Sequence, residues 1–126
     1  MEEKLTPAEL QTELLLMFVP EDILAHFVLQ RIIKKSSSYT VELDEKADRT
    51  PVELKGKIAV LDGYLNIIEL QSFPIQAKKC YLRLRRRRWK EQGTDGKQSY
   101  WNDYDFAAEG TKATKAFGDF LKEIHS

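Results

Sequence analysis

The sequence predicts one α+β domain over residues 1–126, with short N-terminal helices, an antiparallel sheet of roughly five or six strands, a projecting basic β-hairpin and a C-terminal helix. Three observations predict it. Helix-start signals and apolar residues at helical spacing mark the beginning and end of the chain, while period-two alternation fills the middle. An arginine run continues one alternating segment and reaches a turn signal, Thr94-Asp95-Gly96-Lys97. The length suits a single core of modest size.

Thr6-Pro7-Ala8-Glu9 reads as a capped helix start, with Thr6 as cap, Pro7 in the first turn and Glu9 able to return to the cap backbone. Leu10, Leu14, Leu15 and Phe18 form one stripe, read as core or as a partner-binding face. Pro20-Glu21-Asp22 starts a second short helix whose apolar face is Ile23, Leu24, Phe27 and Val28.

Leu29–Lys34 and Tyr39–Asp44 flank Ser36-Ser37-Ser38 as a hairpin, and the second of these strands alternates strictly. Residues 45–57 form a charged connection with one helical turn at Pro51–Leu54. Ile58–Leu61 is a short strand broken by Asp62-Gly63, and Tyr64–Leu70 is another, from which Phe73-Pro74-Ile75 leads on. Cys80–Trp89 is the central strand. Cys80, Leu82 and Leu84 share one face with Arg86 and Arg88, while Tyr81, Arg83, Arg85, Arg87 and Trp89 share the other. The first row turns from apolar to basic at Arg86, so the strand is expected to leave the core there and project as a ribbon. Asp95-Gly96 is a two-residue hairpin signal that returns Lys97–Trp101 beside it, with Lys90 near Trp101 and Trp89 near Asn102. Thr111 is the expected cap of a last helix with Ala113, Phe117, Phe120, Leu121 and Ile124 on its apolar face.

Charge is segregated. The net charge is zero, yet residues 1–77 carry −5, residues 78–100 carry +7 and residues 101–126 carry −2. A local basic footprint interleaved with Tyr81, Trp89, Tyr100 and Trp101 suits a polyanion with flat surfaces or grooves. Arginine forks grip phosphate or guanine bidentately, and a two-stranded ribbon fits the major groove. Localisation signals, protein docking and a defended sheet edge are the other uses of such a run.

Other chemistry is sparse. His26 and His125 lack ligand-spaced partners, and the one cysteine, Cys80, reads as a buried small hydrophobe. Asp103 and Asp105 read as a solvated loop flanking the hairpin, and no phosphate loop, dinucleotide fingerprint or nucleophile elbow occurs. The expectation is a non-enzyme without metal or cofactor. Leu14–Val19 is too short to span a bilayer, and Glu2 and Glu3 oppose a basic leader, so a cytoplasmic protein with no membrane partner is expected.

One resemblance covers the chain from about Leu14 onward. Pro20-Glu21-Asp22-Ile23-Leu24, Phe73-Pro74-Ile75, the segment Lys79–Trp89, Trp101, Gly110-Thr111-Lys112-Ala113-Thr114 and Phe117-Gly118-Asp119-Phe120-Leu121-Lys122-Glu123 together resemble the N-terminal region protein of Aon-type bacterial insertion-sequence transposases. That resemblance implies a DNA-binding or accessory part of a transposition system, with the catalytic acidic residues on a separate transposase polypeptide or a later segment. Residues 70–89 also look like the strand leading into the second cysteine pair of transposase zinc ribbons, with Trp89 where a ligand is expected. This implies aromatic packing of Trp89 with Trp101 in place of metal.

The expected function is a non-catalytic module that contacts duplex DNA at element ends. Lys79, Arg83, Arg85, Arg86, Arg87, Arg88, Lys90, Lys97, Lys112 and Lys115 would meet phosphates or base edges, and Trp89, Tyr100 and Trp101 would brace or stack. About five phosphate contacts give a log–log salt slope near −4 to −5. The alternatives are an adaptor docking the hairpin on an acidic surface of the catalytic polypeptide, or an RNA-binding module.

Overall fold

A computed structural model describes residues 2–94 and 98–125. In chain order the elements are α1 (Pro7–Leu16), α2 (Glu21–Leu24), β1 (Phe27–Lys34), β2 (Ser38–Glu45), a 3₁₀ turn (Val52–Leu54), β3 (Ala59–Tyr64), β4 (Ile68–Ile75), β5 (Lys78–Arg85), β6 (Arg87–Glu91) and α3 (Lys115–Ile124). The α+β class follows. The strands divide into a four-stranded sheet in the order β1-β2-β5-β4 and a two-stranded sheet of β3 and β6.

The four-stranded sheet is mixed rather than purely antiparallel. β1–β2 and β4–β5 are hairpins, but β2 and β5 run parallel, with Val41 opposite Leu82 and Asp44 opposite Arg85. A parallel neighbour needs a long crossover, and residues 46–77 supply it. The continuous strand expected over Cys80–Trp89 is two strands that change sheet at Arg86. β2 ends at Glu45, so the ladder stops there, and the Glu45 side chain accepts the next amide, Arg87 N–H, at 2.9 Å.

The expected projecting ribbon is also corrected. β6 is flanked on one side by β3, with Leu61 opposite Trp89. On the other side Trp89 and Tyr100 exchange two backbone hydrogen bonds of 2.8 Å. Among the described residues the return strand is thus a single bridge at Tyr100, two residues from the expected register. The Asp95-Gly96 turn lies outside the described residues. Asp62-Gly63 does not end β3 but makes an irregularity within it, between Leu61 and Tyr64. Gly63 adopts φ of 85°, a backbone conformation that favours glycine, and a Cβ there would lie 3.1 Å from Arg88 Nη2, a gap that the flexible arginine tip can widen by moving slightly. Likewise the strand expected at Tyr64–Leu70 begins only at Ile68, and it runs through Pro74 by way of a register shift between Ser72 and Ile75.

The core lies on one face of the larger sheet. Val41, Leu43, Leu70, Cys80, Leu82 and Leu84 pack there beneath Val19, Ile23, Phe27 and Phe106. Cys80 is fully buried, as expected of a small hydrophobe, and burial pushes its thiol pKa up. The Thr6 capping box of α1 is formed, yet no residue of that helix is buried. Only Leu15 and Phe18 of its stripe pack at the edge of the core, while Leu10 and Leu14 stay half-exposed. The stripe is wider than the face the sheet covers.

The last helix begins at Thr114, not Thr111. Thr114 Oγ1 accepts Phe117 N–H at 3.4 Å, whereas the hydroxyl of Thr111 donates to Ala108 O at 2.8 Å. Residues 112–114 are instead extended along β4, with Gln71 N–H donating to Lys112 O at 2.8 Å and Thr114 N–H to Gln71 O at 2.9 Å. Gly118 faces Ala108 so closely that an added Cβ would lie 2.3 Å from Ala108 Cβ. In an open helix Gly→Ala stabilises by about 1 kcal/mol. Here the overlap reverses the sign, and Gly118→Ala should destabilise by about 1–3 kcal/mol in urea unfolding. A stabilised variant would contradict this packing.

Candidate functional site

The open face of the larger sheet and its continuation into β6 carry the basic segment. Alternation along β5 turns Cys80, Leu82 and Leu84 into the core and leaves Lys79, Tyr81, Arg83 and Arg85 on the uncovered face, as the sequence rows predict. Carboxylates from the neighbouring strands fall in register with these arginines. One row crosses the whole sheet as Arg31, Glu42, Arg83 and Glu69, alternating in sign. Glu42 pairs with Arg31, and Arg83 stands 3.7 Å from both Glu42 and Glu69.

The next row joins Asp44 to Arg85 through a bidentate pair, 2.9 and 2.7 Å. The Arg85 guanidinium also lies 3.8 Å from the centroid of the Tyr64 ring. Hydrogen bonding to Asp44 holds its proton even more firmly than usual, against a smaller opposing effect of burial.

Beyond the sheet change each arginine meets a different group. Arg86 donates to Asp103 Oδ1 at 2.8 Å and to Asn102 O at 3.1 Å, and its side chain is only 17% exposed. Arg87 Nε donates to the Glu45 carbonyl at 2.9 Å, and no carboxylate pairs with this guanidinium among the described residues. Arg88 Nε donates to Asp62 O at 2.6 Å, with the Asp62 carboxylate 3.8 Å away. Single-contact exposed pairs, those of Arg83 and Arg88, are individually weak, about 0–1 kcal/mol, so a phosphate can displace the carboxylate, whereas the bidentate Arg85–Asp44 pair is displaced at greater cost. Arg86, which is better covered and held by the adjacent residues Asn102 and Asp103, is a structural strut.

At the centre of this region is Glu45, expected only as the first residue of a charged connection and found as the last residue of β2. Glu45 is 1% exposed, and its carboxylate accepts Arg87 N–H, Asn102 Nδ2–H at 3.1 Å and the Tyr104 hydroxyl. It ties β2, β6 and the 102–104 loop together. Desolvation first, then the hydrogen bond and charge of Glu45, push the Tyr104 phenol well above its ordinary range. A raised folded-state pKa contributes stability fully present below the unfolded value, about 10, and lost as pH climbs past it. Stability should therefore decline above about pH 10, and Tyr104→Phe should flatten that decline in urea titrations. An equal decline in both proteins would exclude Tyr104 as the cause.

The remaining expected contacts separate by availability. Trp89 is 7% exposed and braces the sheet change, so it cannot stack on a base without unfolding. Trp101 is 42% exposed and can, whereas Tyr100 acts through its backbone bridge to Trp89. The ring contacts of the described residues include no Trp89–Trp101 pair, so the packing implied by the zinc-ribbon likeness is replaced by that bridge. Lys79, Lys90 and Lys112 have no carboxylate partner among the described residues, while Lys115 lies 3.4 Å from Asp105. Lys112 lies at the β4 edge, where it lines one cleft with Gln71 and Tyr81, and Lys97 lies outside the described residues. Sequence reasoning missed the compensating carboxylates. Their alternation in Glu42 and Asp44 was visible, but pairing them with Arg83 and Arg85 needed the parallel β2–β5 register.

Among the described residues no group of three or more His, Cys, Asp or Glu side chains could hold a metal ion, and no helix is long and apolar enough to cross a membrane. No family model, curated protein or solved structure matches the chain.

Proposed function

We propose that this chain is a non-catalytic module that contacts duplex DNA through the β5–β6 segment, as an accessory part of a transposition system. The observation that carries the reading is the segregation of positive charge onto one acid-free stretch, Leu70 to Lys90, presented along a rigid strand rather than a flexible tail. Arg87 and Lys90 supply charge without a carboxylate partner among the described residues. Arg83, Arg85 and Arg88 are held in place by carboxylates that a phosphate can displace, and Trp101 offers an exposed ring. The transposition context rests on the resemblance of the Lys79–Trp89, Gly110–Thr114 and Phe117–Glu123 segments. Mobility shift with generic duplex DNA at about 50 mM salt tests the reading, because backbone contacts of this kind need no particular sequence. A folded protein that does not bind under those conditions ends it.

A second reading, docking on a separate catalytic transposase polypeptide, is favoured by one observation: Leu10, Leu14 and Met17 of the α1 region are half-exposed or more. Co-purification with that polypeptide, lost in Leu10→Ser/Leu14→Ser but kept in Arg87→Gln/Lys90→Gln, would support docking through the helix in place of the basic strand.

A further inference from the structure

A second basic surface lies at the other end of β5. Residues 31–41 and 70–90 contain no Asp or Glu, and the fold brings their turns together. Lys34 closes the β1–β2 hairpin opposite Tyr39, and Lys35 N–H donates to Ser38 O at 2.8 Å. Ser38 is opposite Lys79 on β5, whose amide donates to Ser37 O at 3.2 Å. Ile75 and Lys78 close the β4–β5 turn through Gln76 and Ala77, both at positive φ, 49° and 66°. Lys78 Nζ bridges the two turns, 3.4 Å from Lys35 O and 5.2 Å from the Tyr39 ring centroid.

Arginines 83, 85, 86 and 88 each have a carboxylate within ion-pair reach, supplied by β2, β3, β4 or the 103 loop. Lys34, Lys35, Lys78 and Lys79 have none among the described residues, and Lys34, Lys35 and Lys79 are exposed with no side-chain partner. Like charges gathered on strand ends without neutralisation repel one another, and an anion relieves that repulsion. Lysine ammonium groups are hydrated point charges that suit phosphate oxygens and carry no base preference.

We propose that this lysine-rich end of the sheet, with Lys79 on the open face, Lys34 on the Cys80 side and Lys35 in the turn beside them, is a second phosphate-contacting surface that wraps the sheet end and holds the sugar–phosphate backbone of the duplex that the β5–β6 segment meets. The inference rests on the DNA reading above. β5 separates its two ends by about 23 Å at 3.3 Å per residue. That is about twice the width of a major groove, about 12 Å, so the two ends overreach one groove and meet backbone phosphates on either side of it. β5 then acts as a spacer, with displaceable arginines at one end and a sequence-independent lysine anchor at the other.

The test is the triple variant Lys34→Gln/Lys35→Gln/Lys79→Gln, titrated with generic duplex DNA across salt beside the parent. These side chains have no partner to lose among the described residues, so the circular dichroism spectrum should be unchanged. The log–log salt slope should become shallower by about 2.7, from three contacts at 0.9 each. If the triple variant misfolds, Lys34→Gln/Lys35→Gln in the exposed turn should still remove about 1.8. A folded variant with the parent's slope overturns the lysine surface alone, provided the parent binds. A parent that fails to bind overturns both this inference and the DNA reading. Single-stranded RNA competing more strongly than duplex overturns the duplex geometry on which the spacer depends.

Discussion

Replacing Glu45 by Leu is expected to destabilise the protein by about 3–5 kcal/mol, because three buried donors lose their acceptor at once. The carboxylate is almost completely enclosed, and three donors converge on it: Arg87 N–H, Asn102 Nδ2–H and the Tyr104 hydroxyl. Leucine fills the volume but accepts nothing. Each orphaned buried donor then costs about 1–3 kcal/mol. No lysine or arginine pairs with the Glu45 carboxylate among the described residues, so hydrogen bonds hold the charge in place. Glu45→Gln keeps the shape and one acceptor oxygen but turns an amide N–H₂ towards a donor. It should fall between parent and Glu45→Leu. Urea unfolding of the three proteins checks the order, and a loss below about 1 kcal/mol for Glu45→Leu would refute a central role. The arginine segment should loosen with it, because Glu45 is what turns β5 into β6.

The second large effect is on DNA affinity. With about five phosphate contacts, raising salt from 50 to 200 mM should weaken binding about 500-fold, the fourfold change taken to the power 4.5. The carboxylate partners sharpen this into opposite signs at neighbouring positions. Arg87→Gln/Lys90→Gln removes two unpaired cations and should make the salt slope shallower by about 1.8. Asp44→Asn removes the competitor of Arg85 and should tighten binding, steepening the slope by about 0.9. Removing both members of that pair, Asp44→Asn/Arg85→Gln, leaves net charge unchanged and should return the slope close to the parent's. Weaker binding by a folded Asp44→Asn protein would show that the pair presents Arg85 to the DNA rather than withholding it.

Much of the fold was legible because it depends on local pattern. The capping box at Thr6 and Glu9, the β1–β2 hairpin around the serines, the 3₁₀ turn after Pro51 and the two faces of β5 are all set by residues a few positions apart. The errors fall where pairing is non-local. Thr111 and Thr114 are equally good caps by sequence, and the choice is made by β4, which takes residues 112–114 as extended chain. Cys80–Trp89 reads as one strand because alternation continues through Arg86. The break is imposed by β2 ending at Glu45.

The same division holds for the candidate site. By itself the sequence determined the α+β class, the buried row Cys80, Leu82 and Leu84, and the concentration of positive charge between residues 78 and 100. Each of these follows from composition and periodicity. Only the tertiary structure decided which of those charges are available. Strand register is a contact between residues some 40 positions apart, and it placed Glu42 and Asp44 against Arg83 and Arg85 while leaving the lysines at the far end of β5 without a carboxylate. A charge seen in the sequence is a formal charge. What it can bind depends on which opposite charge the fold sets beside it, because an ion pair a few ångströms across largely cancels its own field.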